Sequence, residues 1–346
     1  MHLFPQESHH DLDISVMEAF KDSYSEIHSA RSIVLAPAKI LHKRFEHLPK
    51  LKKVKVMNRT TEETFNEVTT TVASIALDLV EGMSELTDES KLLFQMLTVK
   101  AGKHFSTAES VKDVPRFIKT YNIDMSQFED AVYNSFNEFF SRKIKLELRP
   151  MPSDISLFLS AADSRCMVFE NIKEASDIWV KGNQFSISNL LVDSDLTNEF
   201  ANSSMVIFRL APDDYHRWHF PFSGRLMHIN SINGTYYTVN PKAVNSQINV
   251  FTENHRIVRV FDTNFGKVVE IAIGALLVGS ISLLDEEIGN YVEQGSNAGY
   301  FQYGGSTVIY LILENQVRFD ADLIRNSINN KMETYLKARE SIGSPY

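Results

Sequence analysis

The sequence predicts an α+β fold, a helical N-terminal region followed by a β-rich core, and three observations carry that expectation. Apolar residues recur at three- and four-residue spacing before about residue 145. After Pro150 the apolar segments become short, β-branched and bounded by turn residues. The 346 residues, 43% apolar and 23% charged, suffice for one large domain or two modest ones.

Taken in order, Asp13 to Ile33 shows mixed helical spacing. Glu62 to Leu86 is the clearest helical stretch, with Phe65, Val68, Val72, Ile75, Ala76 and Leu79 on one face. Ser84 to Leu97 and Met125 to Phe140 follow the same logic, with Pro115 and Asn122–Asp124 as punctuation. Strand character follows at Ser204–Leu210, Tyr236–Asn240, Ile248–Thr252, Arg256–Phe261, Lys267–Ile273 and Thr307–Leu313. Asp320 to Ala338 reads as a return to helix. The expected division is therefore a helical region over 1–145 and a core over 146–346.

A net charge of -9 argues against a nucleic-acid partner, which demands a basic surface. One cysteine, Cys166, excludes an internal disulfide framework and multi-cysteine metal sites, and no metal is expected. Met1 to Asp13 is polar and lacks the pattern of a secretory signal. No apolar run approaches the roughly 18 residues of a spanning helix. Ile271 to Leu284 comes nearest and is interrupted by Gly274 and Gly279. Any meeting with a membrane is expected at its surface. The basic stretch from His42 to Lys55 suits anionic headgroups, and equally a solvated loop.

Three segments carry chemistry. Arg209–His219 holds His216 and His219 beside Tyr215, Arg217 and Trp218, and histidine is the side chain best suited to move protons at neutral pH. The same spacing also occurs in structural loops. Tyr303-Gly-Gly-Ser-Thr307 sets two glycines before Ser306, which frees the backbone and leaves the Gly305 carbonyl open to close approach. It is also the pattern of a tight turn. Ser160–Arg165 offers Asp163 among small residues, as an imidazole partner or a turn residue. Together these are the parts of an Asp, His, Ser relay, in that chain order, without a G-x-S-x-G elbow.

These segments resemble, in order, the phosphatidylserine decarboxylase family, and in particular its eukaryotic type II branch. The resemblance runs through Phe136–Lys143, Ala161–Arg165, Trp179–Gly182 with Phe185–Ile187 as a strand pair, Arg209–His219, Val239–Pro241, Phe251–Asn254, Val278–Gly279 and Gly304–Thr307. Val99–Lys103 and Phe117–Lys119 resemble its helical lead-in, so it covers about residues 90 to 343. It implies self-cleavage between Gly305 and Ser306, conversion of Ser306 to a covalent pyruvoyl cofactor, and Schiff-base decarboxylation of phosphatidylserine to phosphatidylethanolamine. It further implies a base formed by Asp163 with a histidine, a proton donor for decarboxylation, and a homodimer. His219 is assigned as the base and His216 as the donor, although the sequence does not order the two and one histidine can serve both roles. The expected place is the cytoplasm or the cytoplasmic face of endomembranes. The sequence departs from the family at Phe220-Pro-Phe222, Lys242 and Asn297, which bear on substrate fit. The alternatives are a pyruvoyl decarboxylase of a soluble amino acid such as tryptophan, and a non-enzymatic scaffold.

Overall fold

The computed structural model describes residues 53–68, 98–99, 102–180, 185–245, 249–275, 280–302 and 306–346. The strands among them are β1 (Lys53–Asn58), β2 (Thr64–Val68), β3 (Phe158–Leu159), β4 (Ser164–Phe169), β5 (Ser204–Leu210), β6 (Arg217–His219), β7 (Gly224–Ile232) and β8 (Arg256–Thr263). They continue as β9 (Gly266–Ile273), β10 (Ile281–Leu283), β11 (Tyr291–Val292), β12 (Asn297–Phe301), β13 (Ser306–Ile312), β14 (Val317–Phe319), β15 (Glu333–Leu336) and β16 (Ser341–Pro345). A ten-stranded sheet runs β11-β7-β8-β9-β13-β5-β4-β15-β1-β2, beside two three-stranded sheets, β10-β12-β6 and β14-β16-β3.

The central strands β4, β5 and β13 are buried along their whole length. Their apolar runs are continuous because both faces of the sheet are covered. Alternation then sorts the side chains. Met205, Ile207, Ile309 and Leu311 join a cluster with Phe117, Phe136, Phe139 and Phe140. Those aromatics come from the helices Val114–Tyr121 and Phe136–Phe140. Val206, Phe208, Leu210, Val308 and Tyr310 join a second cluster with Trp218, Phe301, Phe158 and Ile342 of the small sheets. The described residues are thus layered, with the helices Val114–Tyr121 and Phe136–Phe140 on one face of the large sheet and the small sheets, with the short helix Ala321–Ile324, on the other.

Several expectations are corrected. Residues 53–68 form an antiparallel hairpin, so residues 62–68 are not the start of the helix expected over Glu62–Leu86, whose residues 69–86 lie outside the described residues. The hairpin joins the core sheet through a parallel pairing of β1 with β15. Between Met125 and Phe140 only a short turn at Met125–Gln127 and the helix Phe136–Phe140 are helical. Trp179 closes the helix Ile172–Ile178, and Ser186 caps the helix Ile187–Leu191, where a strand pair was expected. Ile248–Thr252 falls largely in a short helix, Val250–Glu253. Tyr236–Asn240 is irregular because the Asn254 side chain takes both backbone groups of Tyr237 that a neighbouring strand would use. The tail has one short helix, Ala321–Ile324, and a π turn before β15. Asp13–Ile33, Ser84–Leu97 and residues 42–52 of the basic stretch lie outside the described residues, as do Gly182, Val278, Gly279, Gly304 and Gly305.

Candidate active site

Strand register brings the singled-out residues to one end of the large sheet. Ser306 opens β13 opposite Leu210 of β5, and Arg165 of β4 stands opposite Arg209. Carrying that second register one residue further sets Ser164 beside Leu210, so Asp163 and Ser306 flank the end of β5. Two strand spacings separate them, about 10 Å. Residues 211–216 leave β5 at this end and pass round the sheet to β6. They carry Tyr215 and His216 just ahead of His219.

Ser306 is fully buried, and its Oγ has no hydrogen-bond partner among the described residues. A buried hydroxyl without a partner costs about 1–3 kcal/mol, and the Oγ1 of the adjacent Thr307 is in the same position. Alternation puts Ser306 on the face of Val308 and Tyr310, the face covered by β6 and β12. The Phe301 amide donates to the His216 carbonyl at 2.7 Å, which ties the strand leading to Ser306 to the histidine segment.

His219 is buried, with Nδ1 at 3.1 Å from the Gly295 carbonyl and Nε2 at 3.0 Å from the Tyr215 hydroxyl. A carbonyl only accepts, so Nδ1 bears the proton and Nε2 accepts from Tyr215. Burial, helped by the Arg339 guanidinium, pushes the imidazole down to about 4. His219 is therefore neutral at pH 7, with an unprotonated Nε2 lone pair turned to the Tyr215 hydroxyl. Burial and the Asp163 charge raise Tyr215 well above the ordinary phenol range, so its hydroxyl remains a donor. The Asp163 backbone N–H, close to that hydroxyl, acts in the opposite direction. His216 lies flat on Phe140, ring centroids 3.8 Å apart, with Nδ1 3.0 Å from the Asp214 carbonyl.

Asp163 reaches His219 through Tyr215 rather than by a carboxylate–imidazole bond. Its carboxylate is clamped by Arg149, with Nε at 2.9 Å and Nη2 at 2.5 Å, and accepts the Ala338 amide at 2.8 Å. Arg149 was not singled out from the sequence, and its only signal there is an arginine before Pro150 where the β-rich core begins. Trp218 donates to Glu270, which also takes Arg259 and Tyr310. This buried network fixes β6 and with it the spacing of the two histidines. No group of three or more His, Cys, Asp or Glu suited to a metal occurs among the described residues.

The sequence profile described as phosphatidylserine decarboxylase matches residues 136–344. The chain is 43% identical to phosphatidylserine decarboxylase proenzyme 2 of Saccharomyces cerevisiae, over 77% of this chain and 23% of that protein. It is also 43% identical to the protein of the same name from Oryza sativa subsp. japonica, over 76% of this chain and 43% of the relative. Against the phosphatidylserine decarboxylase proenzyme of Fusobacterium nucleatum it is 35% identical, over 70% of this chain and 81% of the relative. The chain thus spans under half the length of the yeast and rice relatives. A match over more than half of its residues, including every residue of the Asp163–Ser306 constellation, means that the chain belongs to the phosphatidylserine decarboxylase family.

Proposed function

We propose that this chain cuts itself between Gly305 and Ser306, becomes a pyruvoyl enzyme, and converts phosphatidylserine to phosphatidylethanolamine and carbon dioxide. The observation that carries the reading is the buried Ser306 Oγ, without a partner among the described residues, on the sheet face covered by the strand of a neutral His219. The relatives' description as proenzymes supports the processing step.

In maturation the Ser306 Oγ bonds to the Gly305 carbonyl carbon as the Gly305–Ser306 C–N bond breaks. The Oγ proton passes to the base, and the freed amine takes up a proton. Removal of the Ser306 α-hydrogen then expels the Gly305 carboxylate and leaves dehydroalanine, which takes up water to give the pyruvoyl group and ammonia. His219 is the base, its Nε2 lone pair held by Tyr215 and its tautomer set by Gly295. Asp163, fixed by Arg149, sets its backbone N–H close to the Tyr215 hydroxyl. His216 supplies a proton to the substrate α-carbon. Formed on Ser306, a pyruvoyl group would supply a carbonyl able to take a substrate amine and to serve as an electron sink for loss of carbon dioxide. The substrate is taken from a membrane surface by a homodimer in the cytoplasm or on the cytoplasmic face of an endomembrane. No helix among the described residues is long and apolar enough to cross a bilayer.

Intact mass under denaturing conditions tests the first half. The wild type is expected as two fragments, the smaller spanning 306–346 with a pyruvoyl terminus, and Ser306→Ala as one chain. A wild type that stays whole under every condition overturns it. Carbon dioxide release from phosphatidylserine vesicles against free tryptophan tests the second half. Release from tryptophan alone would establish the soluble-substrate alternative.

A further inference from the structure

Arg165 and Arg209 form a directly opposed cross-strand pair on β4 and β5. Two guanidinium groups so placed repel each other unless carboxylates stand between them. One of those carboxylates comes from outside the family match. Glu67, on β2 of the N-terminal hairpin, places Oε2 2.7 Å from Arg165 Nε and accepts from Arg209 at 2.9 and 3.1 Å. Its side chain is 9% exposed. Although burial opposes ionisation, Arg209 and Arg165 hold Glu67 down to about 2, so it is a carboxylate at neutral pH.

The placement is not a by-product of strand order. β2 is four strands from β5, about 19 Å along a flat ladder. The hairpin must curl over the face of the sheet to make these contacts, and Phe65 packs edge-on against Tyr335, 6.4 Å between centroids, as it does so. Arg165 carries the connection onward. Its Nη1 pairs with Asp214, whose carboxylate also accepts the Ala211 amide and closes the turn ahead of Tyr215. The Asp214 carbonyl holds His216 Nδ1.

We propose that Glu67 is a positioning residue for the Ser306 site, holding the 211–216 loop in place through Arg165 and Arg209. The proposal rests on the reading of Ser306 as the reacting residue. Glu67 lies on the helix-layer face and touches no reacting atom. It acts on Tyr215 and His216 by fixing the loop that carries them round the end of the sheet.

The test measures self-cleavage rate by denaturing intact mass. It also measures kcat and KM for carbon dioxide release from mixed phosphatidylcholine–phosphatidylserine vesicles. The variants are Glu67→Gln, Glu67→Ala and Glu67→Asp, with Glu63→Gln at the exposed hairpin turn as control. Urea midpoints in the Ser306→Ala background report folding separately. Glu67→Gln is expected to slow cleavage at least tenfold and to lower kcat with KM changed less than twofold. Glu67→Asp, which keeps the charge, is expected to recover part of the loss, and Glu63→Gln to stay within twofold of wild type. If Glu67→Ala does not fold, the near-isosteric Gln variant decides. If neither neutral variant folds, Glu67→Asp decides, by cleavage slower than wild type or equal to it. A purely structural hairpin would lower the amount of folded protein while each folded molecule cleaved at the wild-type rate, and that result overturns the proposal. A wild type that never cleaves overturns the Ser306 reading and this proposal with it. Normal cleavage in wild type and in the Gln variant alike overturns this proposal alone.

Discussion

His219 sets how the site answers to acid. Its imidazole is held at about 4 in the folded chain, against about 6.5 in an unfolded one. Below pH 6.5 the unfolded chain binds a proton that the folded chain refuses, so stability falls as pH drops from 6.5 toward 4 and is unaffected above. The linkage amounts to about 3 kcal/mol across that window. Glu67, held at about 2, adds a loss in the same direction as pH falls from its ordinary range through that value. Urea unfolding of Ser306→Ala at pH 7 and pH 4.5 is expected to show this drop, and Ser306→Ala/His219→Gln a smaller one. Equal drops in the two would place the acid sensitivity elsewhere. Asp163 gives a second residue-scale prediction. Arg149→Ala leaves a buried carboxylate without its guanidinium and is expected to cost roughly 3–5 kcal/mol. Arg149→Ala/Asp163→Ala removes both charges and is expected to cost less than the sum of the single changes, read from urea midpoints.

Among elements, β6 and β12 meet where Gly299 stands opposite Trp218. A Cβ at Gly299 would lie 2.4 Å from the Trp218 ring and 2.7 Å from the Ser282 carbonyl. Gly299→Ala must therefore displace Trp218 from Glu270, at about 1–3 kcal/mol. It should also slow self-cleavage because the same strand carries His219. A thermal melt and denaturing mass on one preparation check both, and an unshifted melt with normal cleavage would refute the coupling. The same element scale shows what was legible in the sequence. Ser204–Leu210, Arg256–Phe261, Lys267–Ile273 and Thr307–Leu313 were readable because strands buried on both faces leave continuous β-branched runs. β2 and β15 were not, and the reason is the buried ion cluster. Glu67 and Glu333 point inward to Arg209, so each strand breaks apolar alternation with a charge. In β2 the remaining Phe65 and Val68 then mimic helical spacing. The residues Asp163, His216, His219 and Ser306 were legible as an ordered set. That Tyr215 joins Asp163 to His219, while Arg149 takes the carboxylate, depends on long-range register and leaves no local mark.

Across the whole molecule, the proposed cut at Ser306 separates a chain whose last 41 residues are threaded through the rest. β13 lies between β9 and β5, and β15 between β4 and β1, while β14 and β16 build a small sheet with β3. Each strand of the short fragment but β14 therefore hydrogen-bonds to the long one. The interior face of β13 is closed over by Trp218, Phe158 and Phe222. Charged groups bind the same boundary, with Glu333 on Arg209 and the Ala338 amide on Asp163. Removing one peptide bond at the start of β13 leaves all these contacts in place. The two fragments are therefore expected to elute together in native size-exclusion chromatography in high salt, and to part only when urea unfolds the sheet. High salt screens exposed ion pairs but not buried ladders and apolar contacts. Release of the 306–346 fragment by salt alone would mean that the strand order, rather than only the site, is wrong. Co-elution with a single unfolding transition would show that maturation changes the chemistry at Ser306 while the layered fold stays one cooperative unit.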